Sequence, residues 1–175
     1  MLTNQRAFYG KYRGTVVNNV DPMMRGRLLL IVPDVLGLVP SSWAEPCAPL
    51  AGPTGPPMGA YLVPPLGAGV WVEFEQGDPE QPVWVGCRWG AASDVPALAK
   101  AGLPTSPNIV FQTIGQNKLI ISDLPGPTGG IMVQSATGAS LIVNDTGIYI
   151  QNGKGASLVL TGPTVNINNG ALTVV

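Results

Sequence analysis

A short internal repeat fills the C-terminal part of the chain and constrains its fold more than any other feature. Residues 130–146 read GIMVQSATGASLIVNDT, and residues 147–163 read GIYIQNGKGASLVLTGP. At this 17-residue offset the two blocks share their isoleucine, glutamine and GASL positions. A repeat of this length predicts one supersecondary unit that is stacked on copies of itself.

The repeat extends in both directions. Residues 108–123 align with residues 130–145 at an offset of 22, and the five extra residues fit a turn insertion at 124–128. Downstream, residues 164–168 restart the block, and residues 171–174 give its second half in shortened form. The repetitive region is therefore predicted to cover residues 108–175.

Apolar residues within the repeat occur in pairs two positions apart, while the residue between them varies in type. A period of two is typical of β-strands that bury one face. We predict that the paired residues face a core; they are Ile109, Phe111, Leu119, Ile121, Ile131, Val133, Leu141, Val143, Ile148, Ile150, Leu158, Leu160, Val165, Ile167, Leu172 and Val174.

The spacing of these pairs indicates how the core is enclosed. Apart from the insertion and the shortened last unit, intervals between pairs alternate between ten and seven residues, which does not fit three equal sides of a single-chain coil. Two inward residues per strand are also too few for one chain to close a core. We therefore predict an intertwined, homotrimeric triple-stranded β-helix in which each chain contributes one wall per level. A single-chain solenoid is the alternative.

Composition changes near residue 108 and indicates separate domains. Fifteen of the 18 prolines lie at or before Pro107. We divide the chain into an N-terminal arm (1–10), a barrel domain (11–90), a connector (91–107) and the repetitive domain (108–175). Within the connector, Ala97 to Ala101 has room for at most one helical turn.

The barrel domain contains about five short β-rich runs. Strands are predicted near 12–20, 26–35, 69–75 and 83–89, and the proline-dense stretch 40–65 is predicted to be a long irregular loop held by burial of Trp43. Five short strands with one long insertion suit a small closed barrel of the oligosaccharide/oligonucleotide-binding (OB) kind. The fold class is therefore predicted to be all-β.

Charge and residue types limit the possible functions. The chain has no histidine and a formal net charge of −1. Histidine-based catalytic triads and zinc sites are thereby excluded, and nucleic acid is not expected as a partner because no Lys and Arg cluster is present. We expect no cofactor and no metal. Two reduced, buried thiols are expected at Cys47 and Cys87.

Three stretches of the barrel domain, followed by the repeat, resemble a known family. These are YRGTVVNNVDPMMRGRLLLIVPDV, SSWAEPCAPLAG and PPLGAGVWVEFEQGDPEQPVWVGCRWG. They are similar to the OB-fold domain of contractile-injection spike proteins, such as phage baseplate assembly protein V and the valine-glycine repeat protein G of type VI secretion. Asp21-Pro22 resembles the family's first turn, Gly77-Asp78-Pro79 its late hairpin, and residues 130–169 its β-helical needle.

The resemblance implies a homotrimeric central spike, driven through a target envelope when a sheath contracts. Since no fused hub domain and no lysozyme-like insertion are seen, a separate baseplate hub protein is expected on the N-terminal or OB side, and enzymatic activity is not. The chain lacks the family's iron-binding His-x-His pattern and ends in apolar strand sequence. A PAAR-like tip protein is therefore expected to contact Leu172, Val174 and Val175.

The same resemblance places the protein in a phage tail baseplate or an extracellular injection particle. No apolar run approaches the roughly 18 residues of a membrane span, and no signal peptide is recognisable, so we expect synthesis as a soluble cytoplasmic product.

Other functional classes remain as alternatives. A polysaccharide-binding or depolymerising β-helix would need an aromatic and acidic groove, but Tyr149 is the only aromatic and Asp145 the only acid from residue 130 onward. Two arginines, at positions 25 and 27, would serve either a hub contact or simple solubility. Core or interface packing is favoured over a base-stacking platform for Trp71, Trp84 and Trp89.

Overall fold

The structure is a computed structural model that describes residues 7–52 and 55–174, with the side chain of Thr173 left aside. Most of the predicted N-terminal arm and the predicted tip contact Val175 lie outside the described residues. The chain forms two compact units, one ending at Gly90 and the other beginning at Ala91.

The first unit is a five-stranded sheet, as predicted. Its strands are β1 (Tyr12–Asn18), β2 (Leu29–Ile31), β3 (Glu45–Pro46), β4 (Gly69–Phe74) and β5 (Pro82–Arg88), in the order β2-β1-β4-β5-β3. Neighbouring strands are antiparallel except for β3 and β5, which are parallel.

The edges of this sheet approach each other through residues 40–46. Leu28 and Ala44 exchange two backbone hydrogen bonds of 3.1 and 2.8 Å, which attaches this segment to β2. The same segment contains β3, which forms the other edge of the sheet by pairing with β5. Because one segment pairs next to β2 and also forms the opposite edge, the sheet curls toward a barrel.

Alternating residues of the strands supply the core of the first unit. On β4, Val70, Val72 and Phe74 are buried, and the residues between them are only partly covered. The hydrophobic core comprises Val16, Leu28, Leu30, Val32, Ala44, Val70, Val72, Phe74 and Trp84.

Three local predictions for this unit were wrong. The strand expected over 26–35 is reduced to β2, since Pro33 opens a short helix, α1 (Pro33–Leu36), whose first turn suits the fixed φ of proline. The proline-dense stretch is not wholly irregular, because it contains β3. Trp43 is only half-buried, and the Arg27 guanidinium lies 5.5 Å from its ring centre.

The two cysteines also differ from expectation. Cys47 and Cys87 are free thiols, but both are exposed rather than buried. Partial desolvation still raises the pKa of the Cys87 thiol.

The second unit is an antiparallel meander of eight strands, one for each predicted apolar pair. Every strand pairs with the next one in sequence. The strands are β6 (Ile109–Gln112), β7 (Lys118–Ser122), β8 (Gly130–Gln134), β9 (Ser140–Asn144), β10 (Gly147–Gln151), β11 (Ser157–Thr161), β12 (Thr164–Ile167) and β13 (Leu172–Val174).

Alternating turn lengths explain the alternating spacing of the repeat. The connections at one lateral edge of the sheet have four or five residues: 113–117, 135–139, 152–156 and 168–171. Those at the other edge are 123–129, 145–146 and 162–163. The first of these contains the predicted insertion, which forms a short 3₁₀ turn at Gly126–Thr128.

Further 3₁₀ turns lie at Glu75–Gly77, Ala92–Asp94 and Asn168–Gly170. Another, at Ala97–Ala101, is the single turn expected in the connector.

Candidate trimer interface

The register of the eight strands aligns all predicted core residues on one face of the sheet. They form two columns along the direction in which strands stack. One column is Ile109, Ile121, Ile131, Val143, Ile148, Leu160, Val165 and Val174. The other is Phe111, Leu119, Val133, Leu141, Ile150, Leu158, Ile167 and Leu172. We call this the two-column face.

Most of the two-column face is open to solvent in a single chain. Eleven of its side chains are between 37% and 58% exposed, with Ile148 and Phe111 at the two limits. Soluble proteins rarely leave so large a contiguous apolar surface uncovered, and such surfaces usually mark an interface.

The opposite face is of mixed polarity. Its middle column runs from Val110 through Ile120, Met132, Ile142, Tyr149 and Val159 to Asn166, and these side chains are half-buried or buried. The two columns that flank it consist mainly of Gln, Ser, Asn and Thr, together with Lys118, Gly130 and Gly147. Their polar groups bond to each other, as when Gln151 Nε2 donates to Ser140 Oγ at 2.9 Å. This face is therefore suited to solvent, whereas the two-column face is not.

Two repeat glycines allow the strands of the meander to approach closely. A Cβ on Gly130 would lie 2.0 Å from the carbonyl oxygen of Val143, and one on Gly147 would lie 2.1 Å from that of Leu160. Both have positive φ, at +84° and +155°. Only glycine fits such positions without displacing the neighbouring backbone.

The last described strand carries the predicted tip contacts. Leu172 and Val174 are each 55% exposed, and β13 is an outermost strand of the sheet. Its outer edge has no strand partner among the described residues, so its backbone groups are free to pair with another chain.

In the first unit, the Asp21-Pro22 turn is organised around the Asp21 carboxylate. This carboxylate accepts hydrogen bonds from the backbone N–H groups of Met23, Arg25 and Arg27 at 2.9, 2.8 and 3.2 Å. The Arg27 guanidinium adds two more at 3.1 and 2.7 Å. The hydrogen bonds from Arg27, more than those from the backbone, hold the pKa of Asp21 well below its usual range.

Both arginines considered for a hub contact are engaged within the unit. Arg27 is largely buried in its ion pair with Asp21, and Arg25 forms an exposed ion pair of 2.8 Å with Glu45. Sequence reasoning recognised a turn here but missed the carboxylate that holds it; the signal was an aspartate six residues before an arginine, both flanking a proline turn.

The three tryptophans differ in how far they are exposed to solvent. Trp84 is 7% exposed and its indole N–H donates to the Gly26 carbonyl at 3.1 Å, so the core assignment is confirmed there. Trp71 is half-buried, while Trp89 is 64% exposed.

Neither a metal-ligand cluster nor a long apolar helix is found within residues 7–52 and 55–174. No three His, Cys, Asp or Glu side chains converge there in a way that could hold a metal ion. No helix in the same residues is long and apolar enough to cross a membrane.

Both units match family models. Residues 12–89 match the type VI secretion system/phage-baseplate injector OB domain, and residues 108–173 match the phage baseplate V C-terminal trimerisation domain. The chain belongs to the phage baseplate V spike family. A comparison with curated proteins found no match.

Membership of the baseplate V family decides the fold class and the broad role. The first unit is an OB barrel, and the second is the homotrimeric triple-stranded β-helix that was predicted from the repeat. The protein has a structural, spike-type role in a baseplate, as part of a virion or an injection particle. The family is a structural one, which suggests a function without catalysis.

Proposed function

We propose that this baseplate V protein is the central, membrane-puncturing spike of a contractile tail or injection system. One observation carries the proposal: sixteen apolar residues form an unbroken face that a single chain leaves largely exposed. Two further copies of the chain are the occupants that fit, because the same region matches a trimerisation domain.

In this proposal the two-column face of each chain forms one wall of the trimer core. Fully burying a Leu or Ile side chain contributes roughly 1.5–3 kcal/mol, and threefold symmetry repeats each site three times. The natural twist of each sheet winds the three walls around a common axis.

Such a core suits a mechanical role. Hydrogen bonds of each wall run along the stacking direction, and each level adds six apolar side chains to the core. Opening one level therefore requires several contacts to break together, which slows unfolding. Slow unfolding and stiffness are the properties that a puncturing device requires.

The hub protein is proposed to bind the OB barrel. The β1–β2 turn of this barrel presents large apolar side chains to solvent, with Val20 76% and Met24 83% exposed. Exposed apolar groups on a turn that Asp21 holds in place are suited to a protein contact.

A PAAR-like tip protein is proposed to cover the C-terminal end of the trimer. Its contacts would be Leu172, Val174 and the undescribed Val175. Deleting residues 171–175 should abolish co-purification of the tip protein with the spike. The mass of the deleted variant serves as control, since it must still be trimeric. Retained binding by a trimeric variant would refute the tip proposal.

The position of the chain in the particle tests the spike role as a whole. Purified particles that carry an N-terminally tagged chain should show the antibody label on the axis of the baseplate in electron micrographs. Label on the sheath or on peripheral fibres would contradict the proposal.

A further inference from the structure

The charges of the eight-stranded sheet and its turns are sorted by the lateral edge at which they lie. Only four charged residues follow position 107: Lys118, Asp123, Asp145 and Lys154. Lys118 begins β7 and Lys154 lies in the 152–156 turn, so both lie at the edge formed by connections 113–117, 135–139, 152–156 and 168–171. We call this the lysine edge.

Both acidic residues lie at the opposite edge. Asp123 follows the last residue of β7, and Asp145 lies in the two-residue turn between β9 and β10. The edge formed by connections 123–129, 145–146 and 162–163 is therefore the aspartate edge.

Within the part of the chain that the structure describes, none of these four charges has an opposite charge as a partner. The described residues contain three ion pairs, and all three are in the first unit. Asp123 accepts a hydrogen bond from Ser106 Oγ, and Asp145 accepts one of 3.2 Å from the Gly126 N–H. Lys118 is half-buried and the other three are exposed.

Threefold symmetry brings the two edges together. In a cyclic trimer the contacts are heterologous, so one lateral edge of each wall meets the other edge of the next wall. We propose that the lysine edge of each chain docks on the aspartate edge of its neighbour, with Lys118 facing Asp123 and Lys154 facing Asp145. The proposal rests on the two-column face being the trimer core.

The heights of the charges along the axis agree with this pairing. A threefold rotation leaves height unchanged, and Lys118 and Asp123 flank the same strand. Asp145 and Lys154 lie at the two ends of β10, so they differ by about one strand spacing, roughly 4.8 Å. The flexible four-carbon stem of lysine can cover that offset.

Docking of unlike edges selects one assembly. Two lysine edges or two aspartate edges repel each other, so neighbouring chains must point in the same direction along the axis. The apolar core alone does not impose this choice, because the two-column face is uncharged from β6 to β13. The charges at the lysine edge and the aspartate edge thus set the orientation of the chains in the trimer, while the apolar core supplies its stability.

Cross-linking directly tests the contact between the lysine edge of one chain and the aspartate edge of its neighbour. In a background with Cys47→Ser and Cys87→Ser, the pair Lys118→Cys and Asp123→Cys places one thiol at each edge. Within a chain these thiols are about five residues of extended strand apart, roughly 16 Å, which is too far for a disulfide or a short thiol cross-linker. Treatment with a short bismaleimide should therefore yield covalent trimers only through contacts between chains.

The matched controls are the two single-cysteine chains, which should remain unlinked because like edges never meet. Cross-linked dimers of a single-cysteine chain would overturn the proposal, and so would a paired variant that is trimeric yet unlinked. If the chain that carries only Cys47→Ser and Cys87→Ser is itself monomeric, the result contradicts the proposed trimer core as well as the contact between the edges.

Charge reversal provides an independent test. Lys118→Glu with Lys154→Glu, or Asp123→Lys with Asp145→Lys, should each lower the unfolding temperature of the trimer, and less so at 1 M than at 0.01 M salt. The quadruple variant restores unlike charges at every corner and should recover most of the loss. If the unfolding temperature of the quadruple variant falls by the sum of the decreases in the two double variants, the edges are not coupled.

Discussion

Replacing Ile150 with aspartate tests whether the two-column face is the trimer core. Ile150 lies within β10, where its register partners are Leu141 and Leu158, and 44% of it remains exposed in one chain. Fully burying an isoleucine is worth about 1.5–3 kcal/mol, so trimer assembly buries a remaining share worth roughly 2–4 kcal/mol over three chains. Three carboxylates near one axis add a desolvation cost of several kcal/mol each. We therefore expect Ile150→Asp to prevent assembly.

Light scattering after size-exclusion chromatography measures the result. Ile142→Asp is the matched control, since Ile142 pairs with Tyr149 on the opposite face of the same sheet and should stay outside the core. The control variant should remain trimeric. A trimeric Ile150→Asp with unchanged thermal stability would refute the inward assignment.

Two further predictions concern Gly147 and Asp21. Gly147→Ala should lower the unfolding temperature of the trimer by more than Gly155→Ala, because both place alanine at a positive φ, at a cost of about 1–2 kcal/mol, but only the substitution at Gly147 also forces a Cβ against a backbone oxygen. Equal losses would contradict the close approach at Gly147. Asp21→Asn should lower the unfolding temperature of the OB barrel, whereas exposed Asp34→Asn should not. Because folding lowers the pKa of Asp21, the ionised carboxylate stabilises the folded barrel at neutral pH, and this stabilisation is lost as the pH falls below the ordinary pKa of 3.8. The difference in unfolding temperature between the two variants should therefore shrink in acid. A difference independent of pH would contradict the ion pair between Asp21 and Arg27.

The strands of the second unit could be predicted because each is specified locally. A pair such as Leu141 and Val143, bounded by glycine and asparagine turns, fixes both the strand and the face it buries. The alternating spacing was informative for the same reason, since turn length sets the edge to which each connection belongs.

Features that depend on distant pairing could not be predicted in this way. Strand β3 forms because residues 45 and 46 pair with β5, nearly forty residues later in the chain, and no local sequence pattern predicts that contact. The hydrogen bonds of the Asp21 carboxylate likewise require the turn to be closed. Similarly, the exposure of Cys47 follows from its position just after this edge strand, which residue type alone does not reveal.

The charge pattern of the eight-stranded sheet lies between these cases. Lys118 and Asp123 are visible in the sequence, but their placement at opposite edges follows only once the direction of each strand and the side of each turn are known. The meander supplies both.

The mass of the intact chain in solution tests the central claim most directly. One chain has a mass of 18.1 kDa. Static light scattering of this 175-residue chain should give three times this value, unchanged on dilution through the micromolar range. A mass of one chain at concentrations where the protein remains folded would contradict the assignment of the two-column face as a trimer core.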